Sequence, residues 1–282
     1  MDILTKEEFP ELLKEINDPP EKLHVNGKLP EGEIKFLCVV GSRKFSPYGK
    51  EVCRTLIEGL KGQNIVIVSG LALGIDAIAH EAALDAGLTT IAVPGSGLGD
   101  NVLHPRANRN LAKRIIEAGG ALISEFEEDF KATHFSFPQR NRIMAGMSHA
   151  VLIIEAEEKS GTLITSKFAT EYNRDVLTVP ASIFSQSSYG PHMLLRLGAT
   201  PVRSSEDILE ALGMKVEEGQ QKLDLKSLSE DEKKVVEILK VPTPRDELVA
   251  RLELPIQKAN VTLSAMELKG IIKESMGEMR IK

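Results

Sequence analysis

The chain has 282 residues, enough for one large domain and a small one, or for two of middling size. Hydrophobic residues make up 42% and charged residues 27%, an ordinary globular composition that excludes wholesale disorder. Asp and Glu outnumber Lys and Arg by 41 to 35, and the resulting net charge of −6 argues against a surface that coats nucleic acid throughout, while leaving room for a local basic site.

Asp18-Pro19-Pro20 and the strand-like Leu23-His24-Val25 form a short arm, residues 1–35, too short for a core of its own and expected to pack onto the sheet that follows. The acidic start lacks the basic stretch and apolar run of a signal peptide. Nowhere do about 18 uncharged apolar residues run together. A soluble, cytoplasmic protein without membrane contact is expected.

Residues 36–213 alternate short β-branched runs with helical segments. Strands are predicted at Phe36–Val40, Ile65–Val68, Thr90–Val93, Ala121–Ser124, Val151–Glu155, Val176–Val179 and Thr200–Val202, mostly continuous apolar runs suited to burial on both faces. Ser46 with Pro47 opens a helix whose stripe is Val52, Leu56 and Leu60. A second helix follows Asp76 and stops at Gly87. Others are predicted over Pro105–Ala118, Thr162–Tyr172 and Ser205–Leu212. Repeated βα units imply an α/β fold, a Rossmann-like doubly wound parallel sheet. Cys38 and Cys53 read as buried small hydrophobes.

Residues 214–228 are polar and aperiodic, a linker, and residues 229–282 form a compact helical tail. Ser229-Glu230-Asp231-Glu232 is a capping box, helices are expected at about Arg245–Arg251 and Ile256–Lys269, and Gly270–Ile272 with Met279–Ile281 pair as a wing around Glu278. That is a winged-helix-like domain. Its charges balance, eleven basic and eleven acidic over 223–282, and the third helix offers only Lys258 and Lys269. A protein contact is at least as well supported as DNA reading.

In open α/β sheets ligands bind beyond the carboxyl ends of the strands. Those ends read Gly41-Ser42-Arg43-Lys44, Ser69-Gly70-Leu71-Ala72-Leu73-Gly74, Pro94-Gly95-Ser96-Gly97-Leu98-Gly99, Ser124-Glu125, and Glu155 followed by Ser160-Gly161-Thr162. Glycine and serine backbones feeding helix N-termini are suited to phosphate. A dinucleotide fingerprint is not supplied after the first strand, and no P-loop occurs. Basic residues accompany the same strand ends: Arg43 and Lys44 follow the first strand, Arg106 and Arg109 the third, and Lys167 lies on the helix after Ser160-Gly161-Thr162. Phe137-Pro138-Gln139-Arg140-Asn141-Arg142 adds guanidinium forks, an amide and an aromatic face, which suit a single-stranded backbone with unstacked bases. His80, His104, His134, His149 and His192 lack metal-ligand spacing, and neither a metal nor a cofactor is implied. Glu125 and Glu155 admit a paired-carboxylate hydrolase. The favoured reading is that they hold Arg or backbone N–H groups of the phosphate rim.

Taken in order, these motifs resemble the DNA-processing protein A family (DprA, also called Smf). Gly41-Ser42-Arg43 with Pro47-Tyr48-Gly49, Ser69 to His80, Pro105-Arg106-Ala107-Asn108, Ser124-Glu125, Phe137 to Ile143, and Glu155 with Ser160 to Thr165 carry the resemblance over roughly residues 10–212 and, more weakly, the tail. It implies an extended Rossmann-like domain that binds single-stranded DNA, a homodimer, protection of incoming strands in natural transformation, help in loading the RecA recombinase, and no catalysis. Carried over by position, Gly41, Ser42, Arg43, Phe137, Arg140, Asn141, Arg142, Ser160, Gly161, Thr162 and Lys167 would be the DNA site; the strand-end reading adds Lys44, Ser69, Gly70 and Arg106. The chain departs from the family pattern before Phe36, where a sterile-alpha-motif-like domain has no room, and in a longer third-strand loop. It departs again at His104 in place of Tyr and at Gly190-Pro191-His192 in place of Asn. The rival readings are a nucleotide phosphoribohydrolase-like enzyme, whose glycine-rich turn is only faintly matched by Lys159-Ser160-Gly161-Thr162-Leu163, and an interaction module that has lost DNA binding.

Overall fold

A computed structural model describes residues 1–215, 228–275 and 277–281. The chain divides into two units, Met1–Val216 and Glu217–Lys282. In the first, the elements run β1 (Asp2–Thr5), α1 (Glu11–Lys14), β2 (Lys22–Gly27), β3 (Lys35–Val40), α2 (Pro47–Glu58), β4 (Ile65–Ser69), α3 (Ile75–Asp85) and β5 (Thr90–Ala92). They continue with α4 (Arg109–Glu117), β6 (Ala121–Ser124), α5 (Ser136–Gly146), β7 (Ala150–Ile153), α6 (Thr162–Glu171), β8 (Asp175–Thr178), α7 (Tyr189–Arg196), β9 (Thr200–Pro201) and α8 (Ser205–Ala211).

One nine-stranded sheet has the order β1-β2-β6-β5-β4-β3-β7-β8-β9. From β3 the chain winds outward through β4, β5 and β6, then returns to the other side of β3 to lay down β7, β8 and β9. The seven strands from β3 onward are parallel to one another. The topological switch point, where such folds open a crevice, therefore lies between the loops after β3 and β7. Alternation along β3 builds both layers: Leu37 and Val39 pack with α2, α3 and α8, while Cys38 and Val40 pack with α5, α6 and α7. Ser46 is the N-cap of α2, accepting the Gly49 N–H at 3.0 Å, with Pro47 at the first helical position as expected.

The sheet is not parallel throughout. The N-terminal arm does more than pack onto it: β1 pairs antiparallel with β2, and β2 antiparallel with β6, so the arm supplies two edge strands. Two arginines with largely buried side chains stitch the arm down. Arg142 donates to the Asp18 carbonyl at 2.7 Å and ion-pairs with Glu125, and Arg174 donates to the Leu12 carbonyl at 2.7 Å. The Tyr172 hydroxyl completes this clasp by donating to Asp18 Oδ1 at 2.6 Å.

The second unit holds α9 (Glu230–Ile238), β10 (Thr243–Pro244), α10 (Arg245–Arg251), α11 (Ile256–Leu268), β11 (Ile272–Ser275) and β12 (Glu278–Ile281), its three strands ordered β10-β12-β11. The Ser229 capping box forms as expected, and Val235, Leu248, Leu263 and Met266 centre a separate core. Glu278 lies in β12 rather than at the wing's tip; the turn passes through Gly277, whose φ of +80° suits glycine. The expected linker lies almost wholly outside the described residues.

Because Arg142 and Glu125 are both nearly buried, removing one leaves the other's charge unpaired. Arg142→Ala is expected to cost about 3–5 kcal/mol of stability, read by urea denaturation. A loss below about 1 kcal/mol would show that the clasp does not hold the arm.

Candidate nucleic-acid interface

A cavity of about 390 Å³ opens at the switch point. Its lining joins three segments: Gly41, Ser42, Arg43 and Lys44 after β3; Phe137, Pro138, Arg140 and Asn141 from α5; and Lys159, Ser160, Gly161, Thr162 and Thr165 around the start of α6.

The β3 turn is fixed by Ser42, whose Oγ donates to the Lys44 carbonyl at 2.9 Å and accepts the Lys44 N–H at 3.0 Å. The Ser42 carbonyl accepts the Ile75 N–H, drawing the start of α3 against this turn. Gly41 has no room for a side chain there, because a Cβ would stand 2.7 Å from Ile75. On the opposite wall Thr162 donates to the Gly41 carbonyl at 3.1 Å, and Asn141 donates to the Gly161 carbonyl at 3.3 Å. A Cβ on Gly161 would meet nothing, so the backbone there is open to a ligand. The start of α6, a ten-residue helix, faces the same space and favours an anion.

Arg43, Lys44 and Lys159 are exposed on this rim and make no ion pair among the described residues; Glu157 is the exposed carboxylate beside them. Arg43 lies over the Phe137 ring, its Cζ 5.2 Å from the centroid. The ring in turn packs on the Gly95 backbone, where a Cβ would come within 2.5 Å of Phe137 Cδ1.

Beneath the rim, Arg140 is a strut more than a lining charge. It is buried, and its Nη1 donates to the Gly70 and Val93 carbonyls at the ends of β4 and β5. Burial pulls its guanidinium down to about 10, against the stabilising charge of Asp76. Asp76 accepts the Gly70 N–H at 3.1 Å; burial pushes its carboxyl up, and Arg140 opposes that shift. Asn108 donates to the Leu71 and Ala72 carbonyls, holding a turn in which Leu71 adopts a φ of +56°.

Of the residues expected at the site, Gly41, Ser42, Arg43, Lys44, Phe137, Arg140, Asn141, Ser160, Gly161 and Thr162 come together here. The others stand apart from the lining. Ser69 is buried and donates to the Val39 carbonyl at 2.7 Å, and Gly70 serves Arg140 and Asp76. Arg142 is spent on Glu125 and the arm, because α5 turns it away from the crevice. Arg106 and Lys167 are exposed, Arg106 in a 3₁₀ turn before α4 and Lys167 on α6 beyond its lining residues. Lys159, Thr165 and Asp76 belong to the crevice and were missed as site residues. Lys159 adjoins the Ser160-Gly161-Thr162 turn, which was the available signal.

The two strand-end glutamates hold an arginine and a backbone N–H, as expected, but these partners lie behind the crevice and not on its rim. Glu155 accepts the Ser46 N–H at 2.9 Å and the Ser46 and Ser187 hydroxyls, and Glu125 pairs with Arg142.

Fold and crevice together define a Rossmann-like domain with a cationic switch-point cleft, accompanied by a winged helix. Residues 1–213 match the family model described as DNA recombination-mediator protein A, and residues 220–278 match the DprA winged helix domain. The chain belongs to the DNA processing protein A (DprA/Smf) family. It is 44% identical to the Smf protein of Escherichia coli, covering 72% of this chain and 54% of that protein. It is 42% identical to DprA of Streptococcus pneumoniae, covering 71% and 70%. The chain thus spans about half the length of the E. coli relative. The solved S. pneumoniae DprA superposes with a TM-score of 0.70 at 38% identity, covering 77% of this chain and 75% of that one. DNA processing protein A of Helicobacter pylori, whose structure is described as giving insights into a single-stranded DNA binding mode, superposes with a TM-score of 0.65 at 30% identity, covering 75% and 96%.

A Cβ on Gly70 would fall 2.1 Å from Arg140 Nη1 and 2.6 Å from Asp76 Oδ2. Gly70→Ala is expected to cost about 1–3 kcal/mol by overpacking, seen as a lower urea midpoint. An unchanged midpoint would show that the strut is not tightly seated.

Proposed function

We propose that this chain binds single-stranded DNA in the switch-point crevice, acts as a cytoplasmic recombination mediator that protects incoming strands in natural transformation, and passes them to the RecA recombinase. The observation that carries this reading is the joining of Arg43, Lys44 and Lys159 with the start of α6 and the Phe137 ring. Phosphates meet the cations and open backbone, and an unstacked base meets the ring. The single-stranded DNA binding mode attributed to the H. pylori relative supports it. Among the described residues no helix is long and apolar enough to cross a membrane.

The role is binding without catalysis. Glu125 and Glu155 are committed to internal partners, which favours a binding role over a phosphoribohydrolase-like one. In the winged helix, Lys258 of α11 and Lys269 just after it are exposed but ion-paired with Asp231 and Glu232, so their charges are partly offset, which favours a protein partner for that domain.

A homodimer is the assembly this reading carries. Ile183, Phe184 and Tyr189 line one recess with Met193 of α7, with Phe184 92% exposed and Leu197 76% exposed just beyond. An apolar group of that size on a soluble chain is suited to a second copy. Phe184→Glu is expected to sediment as a monomer; an unchanged dimer would move the contact elsewhere.

Titration with fluorescent single-stranded and duplex oligonucleotides at two salt concentrations tests the whole proposal. Single strands are expected to bind more tightly, with log K falling against log salt by roughly 0.7 per neutralised phosphate. Arg43→Ala with Lys159→Ala should flatten that slope, and Phe137→Ala should cost about 1–3 kcal/mol. Wild-type affinity in the double variant would overturn the site; release of free base from nucleoside monophosphates would favour the enzyme.

A further inference from the structure

Phe137 has a second aromatic neighbour that the proposed function does not use. His104, exposed in the long loop after β5, places its ring centroid 5.6 Å from that of Phe137, with the planes inclined by 49°. Its backbone is held in place, for the His104 N–H donates to the Oγ of fully buried Ser96 at 3.1 Å. Two loops thus flank the Phe137 ring: the one after β3 lays Arg43 over its face, and the one after β5 sets His104 beside it. A base that stacks on Phe137 takes the place of the Arg43 guanidinium, which is then free for a phosphate. The next base along the strand leaves the Phe137 plane and meets the inclined imidazole.

We infer that His104 is a second base-contacting residue of this crevice and that it binds the strand more tightly when protonated. The inference rests on the single-stranded DNA reading above. Partial burial and then the cations Arg43 and Arg140 hold its imidazole below the ordinary histidine range, so it is neutral in the free protein at neutral pH. Of the charged groups around it, Arg43 comes from the β3 loop and Arg140 from α5. Arg106 is exposed two residues on, and Arg109 of α4 is turned to the Asn101 and Leu103 carbonyls. A DNA phosphate brought beside His104 favours the imidazolium, so binding takes up a proton and affinity rises as pH falls.

The test uses the full chain and a fluorescein-labelled oligothymidylate, followed by anisotropy at constant ionic strength at about pH 8 and about pH 6. Wild type is expected to tighten by up to about tenfold on going to the lower pH, the effect of one unit of displacement in pKa. His104→Phe keeps the ring without the proton, and should match wild type at the higher pH while losing the tightening. His104→Ala should bind at least about fivefold more weakly at both, the lower end of a stacking contact. An alanine variant that binds like wild type at both pH values overturns the inference and leaves the DNA reading standing. A phenylalanine variant with the full wild-type pH dependence overturns the protonation. A wild-type chain that binds no single strand at either pH overturns the DNA reading itself.

Discussion

One buried guanidinium sets the geometry on which the crevice depends. Arg140 leaves α5 and reaches carbonyls at the ends of β4 and β5, while Asp76, in the first turn of α3, faces it and accepts the Gly70 N–H. Two strands and two helices are thereby tied at the carboxyl end of the sheet, beside the switch point. Burying a charge is costly, and Arg140 is compensated by its two carbonyl acceptors and by the nearby charge of Asp76. Its neighbours are constrained in consequence. Residue 70 must be glycine to admit the guanidinium, and α5 must enter at the angle that leaves Phe137 beside Gly95. The rim cations are positioned by this frame without taking part in it.

The same chemistry explains what was legible from the residues. Strands β3 to β9 were readable to within two residues, most of them because strands covered on both faces are continuous apolar runs, although β9 is exposed. The caps at Ser46 and Ser229 were readable because a hydroxyl three residues before an amide is a local signal. Helix α5 was not readable. It is buried nearly all round, and its buried set includes Ser136, Arg140, Asn141 and Arg142, so the polar residues that normally mark a solvent face lie inside. Strand β1 was equally hidden, since its residues are mostly exposed at the sheet's edge and carry no apolar alternation.

That inversion accounts for the division among the expected site residues. Arg140 and Arg142 are two residues apart on one helix and so point in different directions: one braces the strand ends, and the other clasps the N-terminal arm. From the linear run Phe137-Pro138-Gln139-Arg140-Asn141-Arg142 they look like a single basic patch. In the fold Phe137, Pro138 and Asn141 of that run line the crevice alongside the strut, and the exposed cations are Arg43, Lys44 and Lys159 on the two switch-point loops. Loop residues beside glycine and serine were the better guide, because the backbone there is what a phosphate approaches.

The net charge of −6 then constrains the mode of binding. At physiological ionic strength a charge is screened within about 8 Å, so the acidic body neither repels a strand seated in the crevice nor helps to hold its flanks. Attraction is confined to three rim cations opposed by Glu157, and aromatic contact to Phe137 and the ring beside it. A chain with 4% aromatic residues cannot extend that platform far across its surface. On the proposed single-strand reading, the reach of three cations and two neighbouring rings limits each copy of the chain to a short segment of strand.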